Sequence, residues 1–201
     1  MLRLLTASLA VSLLMCPAAM AEETKGDDFA QYGITLSGSP FGGAFTFMYN
    51  TSSKTSWFFS MGGAPEGDMD LEVGDTEYTV TSSSAWMGGF IHHRPFDSAD
   101  WFRLGLGIGI GNIENTLTDG DGNSYQANYR ENPVGYAGIG FGAQARKGFI
   151  WGLDIGLLYT SGPDIAPKEG TPSAEAMEDI KDSLFFGPVL PNFQLSMGWA
   201  F

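Results

Sequence analysis

The chain has 201 residues, 43% hydrophobic and 16% charged, with 28 Gly, 15 Phe, 7 Tyr, 5 Trp and one Cys. That is room for one domain or two, and the wealth of aromatics excludes a disordered chain. A mean hydropathy of -0.03 leaves no place for a bundle of transmembrane helices, each needing about 20 consecutive apolar residues, and a formal charge of -13 excludes binding to nucleic-acid phosphate.

Residues 1–21 read as a secretory signal peptide. Arg3 supplies a positive start, Leu4 to Met15 an apolar stretch of about 12 residues that is too short to span a bilayer, and Ala19-Met20-Ala21 a small-x-small cleavage site. Cleavage is expected after Ala21. Cys16 follows Met15 rather than a small residue, which argues against lipidation, and as the lone cysteine it can make no internal disulfide. Residues 22–30 form an acidic N-terminal tail with Glu22, Glu23, Asp27 and Asp28.

From residue 31 the pattern alternates with period two, which sorts side chains onto the two faces of a strand. Phe41, Gly43, Phe45, Phe47 and Tyr49 share one face. Phe102, Leu104, Leu106, Ile108 and Ile110 share another, opposite Arg103, Gly105, Gly107, Gly109 and Gly111. Phe149, Trp151, Leu153, Ile155, Leu157 and Tyr159 interleave with Gly152, Asp154 and Gly156. At the C-terminus Phe193, Leu195, Met197, Trp199 and Phe201 alternate with Gln194, Ser196, Gly198 and Ala200. A soluble sandwich would carry Lys and Glu on its exposed face. Here charge is almost missing from both faces and collects at 66–70, 97–100, 119–121 and 167–182.

Uncharged strands with aromatics towards their ends fit a lipid-facing band flanked by aromatic girdles. Only a closed barrel lets strands cross lipid, because every backbone N–H and C=O must be paired without water. The small residues must then line the interior. The predicted strands are 31–38, 41–50, 56–66, 76–94, 101–117, 124–144, 148–161 and 187–201, eight in number and even, as bacterial barrels require. Turns 50–55, 95–100 and 145–148 fall on the periplasmic side with both chain ends, and 119–123 and 162–186 fall outside. Pro172 to Leu184 is expected to be a short helix capped by Thr171, with Glu175 and Glu178 early in it and Ala174, Met177, Ile180 and Leu184 as a weak apolar stripe. It packs either on the barrel rim or inside the lumen.

These residues resemble those of small Gram-negative outer-membrane barrels. The last strand resembles the assembly signal read by the barrel insertion machinery, here Gln194, Ser196, Trp199 and Phe201, with Ser196 where a glycine is usual. Residues 133–201 also resemble an uncharacterised family of eight-stranded outer-membrane β-barrel proteins. The matching segments are Tyr136-Ala137-Gly138-Ile139-Gly140-Phe141-Gly142, Asp154-Ile155-Gly156 running to Gly162-Pro163, the acidic helix, and Pro188-Val189. The resemblance implies fold and location, and not an activity.

Arg103 and Asp154 stand out because the alternation puts each on an inward face otherwise made of glycine. A lone charge in a narrow lumen is costly, so a pair is expected, either plugging the barrel and setting register or forming a constriction for a small solute. Asp119, Asp121 and Asn123 imitate the start of a calcium loop, but Ser124 and Arg130 occupy the positions of its Gly and Glu, which reads as a tight acidic hairpin. Divalent ions could bridge that hairpin to lipopolysaccharide phosphates. The adjacent His92 and His93 point to opposite faces and do not share a metal readily, and Ser82, Ser83 and Ser84 lie roughly 26 Å along the strand from His92. The glycine run from Gly105 to Gly111 has strict period two and not the spacing of a dinucleotide loop.

The sequence therefore reads as an all-β, membrane-spanning antiparallel up-and-down barrel over residues 31–201, located in the outer membrane as a monomer or small oligomer. Its partners are outer-membrane lipid, lipopolysaccharide and, during biogenesis, the assembly machinery. No cofactor and no catalytic centre are expected. The role is structural or one of surface interaction. A narrow channel for a small hydrophobic or ionic solute is the first alternative, and a lipid-modifying enzyme dependent on His92 or His93 the second.

Overall fold

A computed structural model of the chain describes residues 28–130, 133–142, 145–171 and 173–201. The expected signal peptide and most of the acidic tail lie outside these residues. Ten strands are described: β1 (Tyr32–Ser39), β2 (Gly42–Asn50), β3 (Thr55–Val73), β4 (Thr76–His93), β5 (Phe102–Asp119), β6 (Ser124–Tyr129), β7 (Val134–Gly142), β8 (Gly148–Tyr159), β9 (Asp164–Glu169) and β10 (Val189–Ala200). One helix is described after them, α1 (Ala174–Asp182), lying in sequence between β9 and β10.

Eight strands close an antiparallel ring in the order β1-β2-β3-β4-β5-β7-β8-β10, with β10 returning to β1. Ring closure removes the free edge. No helix among the described residues is long and apolar enough to cross a membrane. The ring's outer face carries Leu36, Phe45, Phe59, Leu106, Ile108, Trp151, Phe193 and Leu195, all exposed. Such a belt needs hydrocarbon around it, because soluble monomers rarely expose so large a contiguous apolar surface. At the end holding both ends of the ring and the short turns, hereafter the turn end, Trp101 stacks on Phe141 at 5.9 Å and Tyr32 meets Tyr49 at 5.6 Å and Phe201 at 6.4 Å.

β3, β4 and β5 have 19, 18 and 18 residues, whereas a tilted strand crosses a bilayer in about 9–11. Their surplus stands beyond the barrel as a wall at the opposite, loop end, where Glu66, Asp68, Asp70 and Glu72 sit. β3 thus continues past its expected end at 66, through a bulge between Ala64 and Gly67. Pro65, which has no N–H for the ladder, falls in that bulge, and Ala64 N–H is taken by Ser84 Oγ at 3.0 Å.

The expected strand 124–144 is two strands. β7 pairs with the lower half of β5 and with β8, while β6 pairs with the upper half of β5 and with β9. β8 and β9 are separated at the same level, so β6 and β9 leave the ring and extend the wall to five strands. β9 was not expected from the sequence. Its Pro167 is tolerated because β9 is an edge strand.

On the wall's inner face Val73, Tyr78, Val80, Leu117, Tyr125 and Ala127 form a second core with Ile180 of α1 and Phe186. The helix therefore packs on the wall beyond the rim. Its cap is Ser173, whose Oγ accepts from Ala176 N–H at 3.0 Å, and not Thr171. Thr171 N–H is instead bound by Asn123 Oδ1 at 2.9 Å, which ties that residue to the β5–β6 turn and delays the helix.

Replacing Ile180 by Ala removes a fully buried side chain and is expected to cost about 2–5 kcal/mol. Because β6, β9 and α1 stand outside the ring, the loss should be local. Limited proteolysis should cut segment 160–188 faster while the heat-modifiable migration of the folded barrel is kept.

Candidate functional site

The lumen is built from the inward phase of the ring strands. Arg103 on β5 pairs across to Gly140 on β7, and Gly140 to Asp154 on β8, so the three lie in one row. Two strand spacings, about 10 Å, separate the charged residues, and the missing side chain at 140 lets the guanidinium cross. Arg103 Nε donates to Asp154 Oδ1 at 3.1 Å and Nη2 to Oδ2 at 2.7 Å, a two-point pairing. A Cβ at Gly140 would run into Asp154 Oδ1 and stand 2.5 Å from Arg103 Nε, and one at Gly152 would run into Arg103 Nη2. Both charged residues are buried, at 5% and 7% exposure. Arg103 also lies over the Phe58 ring at 5.8 Å, and that ring packs on His92 at 4.4 Å.

Towards the turn end a second polar layer follows. Arg94, only 3% exposed, donates through Nη1 to Ser56 Oγ at 3.3 Å. Ser56 donates to Asn50 Oδ1 at 2.5 Å, and Asn50 Nδ2 donates to Ala30 O at 2.7 Å. Ala30, Met48, Ile150 and Ala200 close the layer beneath with Phe58. The segment leading into β1 is drawn across this mouth, with Ala30 N–H on Ala145 O at 3.0 Å and Lys147 N–H on Asp28 O at 3.0 Å. Residues 28–30, read from sequence as tail, are thus part of the closure.

Above the ion pair the lumen widens into a cavity of about 120 Å³. One wall is aromatic, with Phe58, Trp86, Phe90 and Tyr136, and the other carries hydroxyls and amides from β1, β2, β3 and β10. The rings lie against glycines of their own or a neighbouring strand. A Cβ at Gly107 would strike Phe90, and one at Gly138 would strike the Tyr136 hydroxyl. The β1–β2 turn bends in over the cavity, its Phe41 O accepting from Ser84 Oγ at 2.8 Å and Trp86 Nε1 at 3.0 Å. Two buried polar atoms at this cavity, His92 Nδ1 and Tyr136 OH, have no hydrogen-bond partner among the described residues. Asp154 Oδ1 stands 3.9 Å from His92 Nδ1.

The small face lines the interior as expected, but it also carries large rings. Phe58, Trp86, Phe90 and Tyr136 point inward, because a narrow ring must be filled and facing glycines leave room for rings. Period two carried the signal, since Trp86 and Phe90 share the phase of Ser84 and His92.

The structure separates the four residues of the final strand. Gln194 and Ser196 face the cavity, with Ser196 Oγ donating to Gly152 O at 3.2 Å, while Trp199 and Phe201 face outward. His92 is interior and His93 bonds Thr55 Oγ1 at 3.0 Å through Nδ1. Asp119, Asp121 and Asn123 meet in the β5–β6 turn. Asp119 Oδ1 accepts from the N–H groups of Asp121 at 3.0 Å and Asn123 at 2.8 Å, and Oδ2 accepts from Asn123 Nδ2 at 2.9 Å. Desolvation pushes the Asp119 carboxyl up, but the hydrogen bonds of the turn together outweigh it and hold it below the usual carboxylate range. Its oxygens are committed to the turn. Among the described residues no group of three or more His, Cys, Asp or Glu could hold a metal.

No family model matches the chain, and no curated protein matches it in sequence. Solved structures do match. The chain is similar in fold to CarO. The crystal structure of Acinetobacter baumannii CarO aligns with a TM-score of 0.63 at 14% identity, over 84% of this chain and 97% of that one. Acinetobacter baumannii CarO2 aligns with a TM-score of 0.65 at 14% identity, over 87% and 100%. At that identity the likeness to CarO speaks for the fold alone, and the residues of the lumen must be read on their own geometry.

Asp154→Ala strands the Arg103 charge and is expected to lower unfolding free energy by about 3–5 kcal/mol, measured by urea titration of the refolded barrel in detergent. The double variant Arg103→Met/Asp154→Leu should recover most of that loss. Gly140→Ala, which forces the pair apart, should cost about 1–3 kcal/mol.

Proposed function

We propose that the chain is an integral outer-membrane barrel whose lumen is a cup, sealed at the turn end and open towards the loop end, with a role in surface interaction rather than as an open pore. The observation that carries this reading is the double closure: the Arg103–Asp154 pair with Phe58 and His92, and beneath it the Arg94–Ser56–Asn50–Ala30 chain. The outward apolar belt, the final strand ending in Trp199 and Phe201, and the fold likeness to CarO support the membrane assignment. The turn end faces the periplasm and the acidic wall faces outward, because short turns and long excursions divide in that way in bacterial barrels.

On this reading lipid contacts the belt, Gln194, Ser196, Trp199 and Phe201 present the assembly signal, and the acidic wall meets lipopolysaccharide phosphates through divalent cations. Arg103 and Asp154 plug the barrel and hold its register. The reading assigns the lumen no chemical step. Purified wild-type barrel reconstituted into a planar bilayer is expected to give no discrete conductance steps. Reproducible unitary openings by the wild-type protein would overturn the sealed-cup reading in favour of a narrow channel.

A further inference from the structure

We propose that the cavity above the plug is a binding site for a small uncharged ring compound bearing one hydroxyl, of about the size of phenol. The proposal rests on the reading of the lumen as a cup sealed at its turn end. Three properties of the cavity select this class.

Size comes first. The cavity holds about 120 Å³, and an apolar cavity of about 150 Å³ suffices for benzene. The enclosed part of the cup therefore matches a single six-membered ring, and a disaccharide, a lipid chain or a peptide would enter it only with one end.

Wall chemistry comes second. The rings of Phe58, Trp86, Phe90 and Tyr136 line one side, and Phe90 and Tyr136 already stand edge-on to each other at 5.6 Å. A ligand ring continues that packing, since aromatic pairs favour edge-to-face and offset arrangements. His92 Nδ1 and Tyr136 OH are buried at the same cavity with no hydrogen-bond partner among the described residues. Unmet polar atoms in a buried site are costly. Both atoms lie behind the cavity surface, and a ligand hydroxyl, which both donates and accepts, satisfies an acceptor and a donor there once the His92 and Tyr136 rings shift to admit it.

Charge is the third. Both oxygens of Asp154 already accept from Arg103, and Arg94 adds a second guanidinium below, so a cation gains little from the floor. An anion entering at the loop end meets the field of Glu66, Asp68, Asp70 and Glu72 on the wall. An uncharged molecule meets neither penalty. Access is from the loop end, where β1 stops at Ser39 while β3 runs on to Val73, leaving the rim low over β1 and β2.

The test uses the refolded full barrel in detergent micelles, with 4-fluorophenol and fluorobenzene as probes observed by fluorine NMR. One saturable site for 4-fluorophenol is expected, with intermolecular transfer from the ligand to the Trp86 ring protons. Ile113→Trp and Leu158→Trp, which fill the cavity from two different strands, should each abolish saturation in samples that keep heat-modifiable migration. Tyr136→Phe should weaken 4-fluorophenol about tenfold while changing fluorobenzene less than twofold. Non-saturable partitioning equal to that of empty micelles would overturn the proposal, as would saturation that survives both filling variants. Fluorobenzene binding as tightly as 4-fluorophenol would overturn the assigned role of the hydroxyl and leave the unmet atoms to water. Conductance by the wild type strikes at the sealed cup, whereas a silent barrel with no saturable site strikes only at this proposal.

Discussion

A backbone that enters hydrocarbon must satisfy every N–H and C=O within itself, and for strands the only solution is a closed ring. Here closure is made by β1 and β10, paired from Gly33 with Ala200 to Gly38 with Leu195, and much of the remaining architecture follows from it. Where the ring ends the constraint ends. β6 and β9 part from it at the level where polar side chains return, β3 bulges at Ala64 and Gly67, and Pro65 and Pro167 become tolerable. Water beyond that level can take the backbone groups that lipid could not.

Closing eight strands creates a second constraint, because the interior is only wide enough to be filled by side chains. This barrel fills it unevenly. In the lower half an arginine and an aspartate reach towards each other over Gly140, and Arg94, Ser56 and Asn50 continue the packing down to Ala30. In the upper half the rings of Phe90 and Tyr136 lie down on glycines instead of meeting at the axis, which leaves a space. The glycines are thus beds for their neighbours' side chains, and the cavity exists because those beds hold the rings against the wall.

The molecule has two cores of opposite logic. Within the ring the apolar side chains face out and the interior is mixed. On the wall Tyr78, Val80, Leu117 and Tyr125 face in and are buried by α1, while Asp68 and Asp70 face solvent and accept from Thr81 and Thr79. The change of sense happens along single continuous strands. β4 carries Met87 to lipid and Val80 to the inner core without a break in its register with β5, and only the surroundings of its two halves differ.

Period two, the scarcity of charge in the strands and the aromatic flanks determined from the sequence alone that this chain forms a barrel with a lipid-facing belt. They also put Arg103 and Asp154 on the inner phase, because alternation is a property of each strand by itself. Which charges meet was decided by register, since only the offset between β5, β7 and β8 puts Gly140 between the two. The break that makes β6 and β7 from one run, the pairing of β9, the cap at Ser173 and the packing of the inward rings of Phe58, Trp86, Phe90 and Tyr136 against facing glycines were likewise decided by tertiary structure. Each depends on the partner that stands opposite, and an alternating pattern says which face a residue takes but not what fills the space before it.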